Sequence, residues 1–203
     1  RRTPFSGGSG ALPEVPSAAR QVLLAASGTL ALVVAIGLYF LWLRGLPMLV
    51  LGAAGVVLVL TYTRWITRSP LICLLAPGLG FGPVMILGSL IALGARLDAA
   101  AVAASAISLL LVSELLLINQ IPDADADRKV GRRHMVITMG QPAAARLAGL
   151  LLLGSYGLLG SAIWVGWLPT WTAIALAPLP AAIWVSTRLP GALSNPAQMN
   201  TLL

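Results

Sequence analysis

Six charge-poor apolar stretches, at about 22–43, 45–63, 71–95, 99–118, 147–167 and 169–187, constrain this 203-residue chain more than any other feature. Roughly 20 apolar residues are enough to carry a helix across a ~30 Å hydrocarbon core. The runs are continuous and rich in Leu, Ala and Gly. They lack the alternation of a membrane barrel, so the backbone has to be satisfied inside helices. Mean hydropathy of +0.92 and a charged fraction of 9% exclude a soluble domain, in which about a quarter of residues are charged. The expected fold is all-α: a polytopic membrane helix bundle of six transmembrane helices, forming one integral-membrane domain over residues 1–203.

The single cysteine, Cys73, falls inside a span, which excludes an internal disulfide and a cysteine-based metal cluster. The beginning at Arg1-Arg2-Thr3 and the end at Thr201-Leu202-Leu203 read as cut, which predicts a piece of a longer membrane protein. With six alternating spans, Arg1, Arg2, Arg20, Arg64, Arg68, Arg128, Lys129, Arg132, Arg133, Arg146 and Arg188 share one face, and only Arg44 and Arg96 reach the other. The positive-inside rule makes the basic face cytoplasmic, although each cation also reads as a topology signal or head-group anchor. Trp42, Trp65, Trp164, Trp167 and Trp171 near span ends read as interfacial anchors.

Between the fourth and fifth stretches, the segment from Asn119 to Arg133 gathers three of the six acidic residues and four of the thirteen basic ones. Pro122 disfavours helix at Ile121 but suits a first helical turn, so a new helix is expected to open at Pro122 and stop at Gly131. Asp123 and Asp127 then share a face, where mutual repulsion gains purpose from a divalent cation above them. Asp125 has Arg128 and Lys129 at ion-pairing spacing and reads as structural. Asp123 and Asp127 have no basic residue three or four positions away, which assigns them to a metal, with Asn119 adding an amide oxygen. Magnesium suits two carboxylates plus substrate phosphates, and Arg128, Lys129, Arg132 and Arg133 suit a diphosphate. The alternative is a solvated charged loop.

The pattern Asn119-x-x-x-Asp123-x-x-x-Asp127-x-x-x-Gly131-x-Arg133, followed by Gly140, resembles the second aspartate-rich motif of the UbiA superfamily of intramembrane aromatic prenyltransferases. Pro4-Phe-Ser-Gly-Gly-Ser-Gly10, Tyr62, Gly78-Leu-Gly-Phe-Gly-Pro83 and Gly88 resemble its menaquinone-type branch, the 1,4-dihydroxy-2-naphthoate polyprenyltransferases. The resemblance implies that the six spans are helices three to eight of a nine-helix fold. It places the first aspartate-rich motif outside this chain, which alone should be inactive. It further implies Mg²⁺-dependent transfer of a polyprenyl group from polyprenyl diphosphate to an aromatic quinone precursor at the cytoplasmic side of a bacterial inner membrane. Asp123 and Asp127 are then the catalytic metal ligands with Asn119, while Arg64, Arg68, Lys129, Arg132 and Arg133 hold the diphosphate. Tyr62 becomes a further substrate contact, and Glu114 is read as another from its position inside a span. Arg64 or Arg68 stands where the family often carries Lys, and His134 where a small hydroxyl residue is common.

Glu114 is costly inside a span and is expected to face the bundle interior, either orienting the acceptor or metal shell or sitting protonated and hydrogen-bonded. Gly78-x-x-x-Gly82 reads as close helix packing. His134 reads as an interface or phosphate contact. The Asp-Gly and Ala-Arg pattern of CDP-alcohol phosphotransferases is missing from the sequence. A transporter calls for acids in several spans, and a degenerate, non-catalytic homologue is the other alternative. Nothing in the sequence points to a nucleic-acid partner.

Overall fold

The computed structural model describes residues 15–194; the segment 4–10 that contributes to the resemblance lies outside the described residues. Every regular element among the described residues is helical. A 3-10 turn, Pro16–Ala18, leads into α1 (Ala19–Arg44), followed by α2 (Leu46–Thr61). A 3-10 turn, Ile66–Arg68, then precedes a rod made of α3 (Pro70–Leu79), a π-helical segment (Gly80–Leu87) and α4 (Gly88–Leu93). Next come α5 (Ala99–Lys129), the short α6 (Met135–Met139) and α7 (Gln141–Trp164). A 3-10 segment, Thr170–Leu176, and α8 (Leu179–Ser194) complete the described chain.

Among the described residues, five helical stretches are long and apolar enough to cross a membrane: Pro16–Arg44, Pro70–Leu93, Ala99–Lys129, Gln141–Trp164 and Thr170–Ser194. The expected span at 45–63 is shorter. Helix α2 has 16 residues, about 24 Å of rise against a core of ~30 Å. Gly45, at φ 72°, sets its start, and the chain turns at Tyr62. The expected span at 169–187 is split around Pro178 and Pro180 into the 3-10 segment and α8.

Helix α5 is the axis of the bundle, packing on α7 and on the α3–π segment, while α7 packs on α8. Asp98 starts it by accepting a hydrogen bond from the Ala101 amide at 2.8 Å, the usual N-cap arrangement. Gly78 and Gly82 seat the rod against it. A Cβ on Gly78 would collide with Ser113 and the Leu109 carbonyl, and one on Gly82 with the Ser105 carbonyl. These two glycines therefore serve close helix packing.

The acidic segment departs from expectation. Pro122 opens no new helix; α5 runs through it without a break to Lys129. A proline inside a helix removes one hydrogen bond and costs about 3 kcal/mol, and burial on both sides of it opposes that loss. Leu117, Ile121 and Ala124 sit in a core cluster with Val136, Ala144 and Ala148, and Gln141 donates to the Ile121 carbonyl at 3.3 Å. At 31 residues the helix rises about 46 Å. That exceeds a ~30 Å hydrocarbon core, and Asp123 and Asp127 lie in its last two turns.

Candidate active site

An unbroken α5 brings Asn119, Asp123 and Asp127 onto one face, four residues apart at each step. They line a polar cavity of about 140 Å³ together with Tyr62, Thr67, Cys73, Leu116, Gln120, Arg132 and His134. Tyr62 comes from the end of α2, Thr67 from the 3-10 turn and Cys73 from α3. The Gln120 amide donates to the Cys73 sulfur at 3.4 Å across the base of this group.

The end of α5 closes as a Schellman turn. Gly131 takes φ 79°, its amide donates to the Arg128 carbonyl at 3.2 Å, and the Arg132 amide donates to the Asp127 carbonyl at 3.1 Å. Glycine suits this position because left-handed backbone crowds a Cβ. The turn folds Arg132 back over Asp127, and its Nη1 donates to Asp127 Oδ1 at 2.9 Å. An apolar contact often joins these two positions of a Schellman turn; here an ion pair does. The Arg133 amide donates to the Thr67 carbonyl at 2.8 Å, tying the turn to the α2–α3 connection.

His134 follows at the start of α6 and is only 1% exposed. Its Nε2 lies 3.2 Å from Asp127 Oδ2, so each carboxylate oxygen of Asp127 has a partner. Burial pushes the imidazole below its usual pKa range, with the Asp127 charge pulling the other way. His134 Nδ1 is buried and has no hydrogen-bond partner among the described residues. Asp127 is thus held on both oxygens, contrary to the expectation from helical spacing. Its partners lie five and seven residues ahead, beyond the point where the chain reverses.

The other expected residues divide clearly. Asp125 pairs with Arg128 at 3.0 Å on the exposed side of α5. Arg64, Arg68, Lys129 and Arg133 are exposed, and none of the four lines the polar cavity. Glu114 is half-buried on α5 and does not line it either. Thr67, Cys73, Leu116 and Gln120 join the cavity, although the sequence marks none of them as a site residue. Leu116 and Gln120 could have been found, since they precede Asp123 by seven and three residues on the same helix. Thr67 and Cys73 arrive through tertiary packing.

Beside this group lies an apolar cavity of about 550 Å³, lined by residues of α2, α3 and the π segment, among them Leu58, Ala76, Gly80, Phe81 and Val84. Tyr62 lines both cavities.

Among the described residues no group of three or more His, Cys, Asp and Glu side chains is arranged to enclose a metal ion. The donors on offer are two carboxylates and one amide from a single helix face. That set fits magnesium carried on a diphosphate, which needs one or two carboxylates, and not a closed protein cage.

Among families of known proteins, the model of the UbiA prenyltransferase family matches residues 13–198. No curated protein and no solved structure matches the chain.

Proposed function

The chain belongs to the UbiA prenyltransferase family, and from that membership we propose that its polar cavity binds the magnesium-bound head of a polyprenyl diphosphate for transfer of the prenyl group to an aromatic quinone precursor. One observation carries the reading: Asn119, Asp123 and Asp127 line a polar cavity that shares Tyr62 with an apolar one. A diphosphate with an isoprenoid tail has that same division of polarity. The larger cavity takes the tail, the smaller one takes the head, and the scissile carbon lies near the Tyr62 phenol that lines both.

The reaction breaks the allylic C–O bond with the electron pair leaving on diphosphate, and an electron-rich ring carbon forms the new C–C bond before passing its proton to the released diphosphate. Leaving-group charge is the main obstacle. Magnesium, when bound through Asp123 and Asp127, would neutralise part of that charge. Arg132 holds Asp127 through one Nη and retains further donors for phosphate oxygens, set in place before the reaction begins. Leu58, Phe81 and Val84 keep water from the allylic cation. Arg64, Arg68, Lys129 and Arg133 serve as an outer basic rim that attracts the anionic head.

The acceptor class, 1,4-dihydroxy-2-naphthoate, and the cytoplasmic face of a bacterial inner membrane are proposed from the motif resemblance and the charge asymmetry. The test is transfer of a radiolabelled polyprenyl group by the intact protein in lipid nanodiscs, with naphthoate and benzoate acceptors compared. Magnesium-dependent product with the naphthoate supports the reading. Absence of transfer to either ring overturns it.

A further inference from the structure

His134 is the only histidine in the chain. It is 1% exposed, yet it borders a polar cavity. Its two nitrogens are treated differently. Nε2 lies 3.2 Å from Asp127 Oδ2, while Nδ1 is buried without a hydrogen-bond partner among the described residues. A buried polar atom without a partner costs about 1–3 kcal/mol, so a cost is borne at Nδ1 for the contact that Nε2 makes with Asp127.

The surroundings fix the ring. His134 adopts extended backbone at φ −101° and ψ 173°, and its carbonyl accepts from the Ile137 and Thr138 amides at 3.1 and 3.2 Å. Val136, two residues on, is 2% exposed in the core cluster. The imidazole therefore has one place to go, against the Asp127 carboxylate that Arg132 grips from the other oxygen. A carboxylate clamped on both oxygens still has lone pairs to offer, since each oxygen carries two. What it has lost is rotational freedom.

We propose that His134 is a positioning residue, orienting Asp127 through Nε2 toward the hydrated divalent cation of a diphosphate headgroup. The inference rests on the headgroup reading of the polar cavity. Outer partners of a metal-binding carboxylate contribute about 10–100-fold in metal affinity, and that is the scale expected here. Gln can present an amide N–H where Nε2 stands. Phe fills a similar space and presents none.

The experiment uses Mn²⁺ and inorganic diphosphate as probes on the intact protein in nanodiscs, with bound Mn²⁺ read by electron paramagnetic resonance. His134→Phe should weaken Mn²⁺ binding in the presence of diphosphate by about 10–100-fold, and His134→Gln should stay within about threefold, a fraction of that range. Equal losses in both variants, or wild-type binding in both, would overturn the positioning role while leaving the headgroup reading intact. Wild-type protein that binds no Mn²⁺ with diphosphate, and does not differ from Asp127→Asn, would overturn both. A second measurement avoids substitution. Protein labelled with ¹⁵N-histidine gives one imidazole, and its Nε2 resonance should move when Mg²⁺ and diphosphate are added together. A resonance that stays in place would contradict the proposal even if His134→Phe fails to fold.

Discussion

Arg132 and Asp127 are joined by a 2.9 Å ion pair because the Schellman turn at Gly131 brings the residue after the glycine back over the last turn of α5. The pair is a product of backbone reversal. Asp127 is 13% exposed at its side chain and Arg132 42%, which leaves the guanidinium partly exposed beside a shielded carboxylate in the cavity lining.

Arg132→Lys should therefore behave as a non-conservative change. Lysine offers one compact ammonium, whereas the guanidinium can hold Asp127 and a phosphate oxygen at once. A fall of about tenfold in kcat/KM for polyprenyl diphosphate is expected, comparable to one charge-assisted hydrogen bond. Steady-state kinetics check it, and unchanged kcat/KM would remove Arg132 from headgroup binding.

Gly80 lines the apolar cavity, and a Cβ placed on it meets nothing within 4 Å. Gly80→Leu should fill part of the tail site without disturbing the bundle. An increase of about 10–100-fold in KM for prenyl diphosphate is expected, the scale of a few misplaced methylenes, with Tm held. An unaltered KM would place the tail elsewhere.

Gly78→Leu and Gly82→Leu test the packing of the rod on α5. Each drives a side chain into the Leu109 or Ser105 backbone, so each should destabilise the protein by about 1–3 kcal/mol. Thermal unfolding in detergent reads this as a lower Tm. Wild-type Tm in both would mean that the two helices do not approach closely.

Acid should weaken the fold. Burial holds the His134 imidazole below its usual range, so the unfolded chain takes up its proton first as pH falls through about 6.5, and stability drops with it. Tm should decline on acidification, and His134→Gln should show a flatter profile. Parallel profiles would remove His134 as the source.

The sequence made the helical membrane architecture legible because apolar length is a direct requirement of the bilayer. It also identified Asn119, Asp123, Asp127, Tyr62 and Arg132, which line the polar cavity in the structure. The continuity of α5 was not legible, because Pro122 is a local breaker and the packing of Ile121 and Ala124 that overrides it is tertiary. For the same reason the partners of Asp127 were missed: spacing rules for a helix stop where the helix reverses. Gly131 was read as the helix stop, and a Schellman turn built on it would have placed Arg132. Thr67 and Cys73 come from α2–α3 segments far from the motif in sequence, and no local pattern announces them.

The most direct measurement is magnesium-dependent transfer of a radiolabelled polyprenyl group by the intact protein, compared with Asp123→Asn plus Asp127→Asn, which preserves side-chain shape while removing both charges. Loss of at least about 10²-fold in kcat, the scale of a lost transition-state charge contact, with Tm near wild type is the predicted result. Turnover at the wild-type rate in the double variant would contradict the central claim that these two carboxylates hold the reacting headgroup.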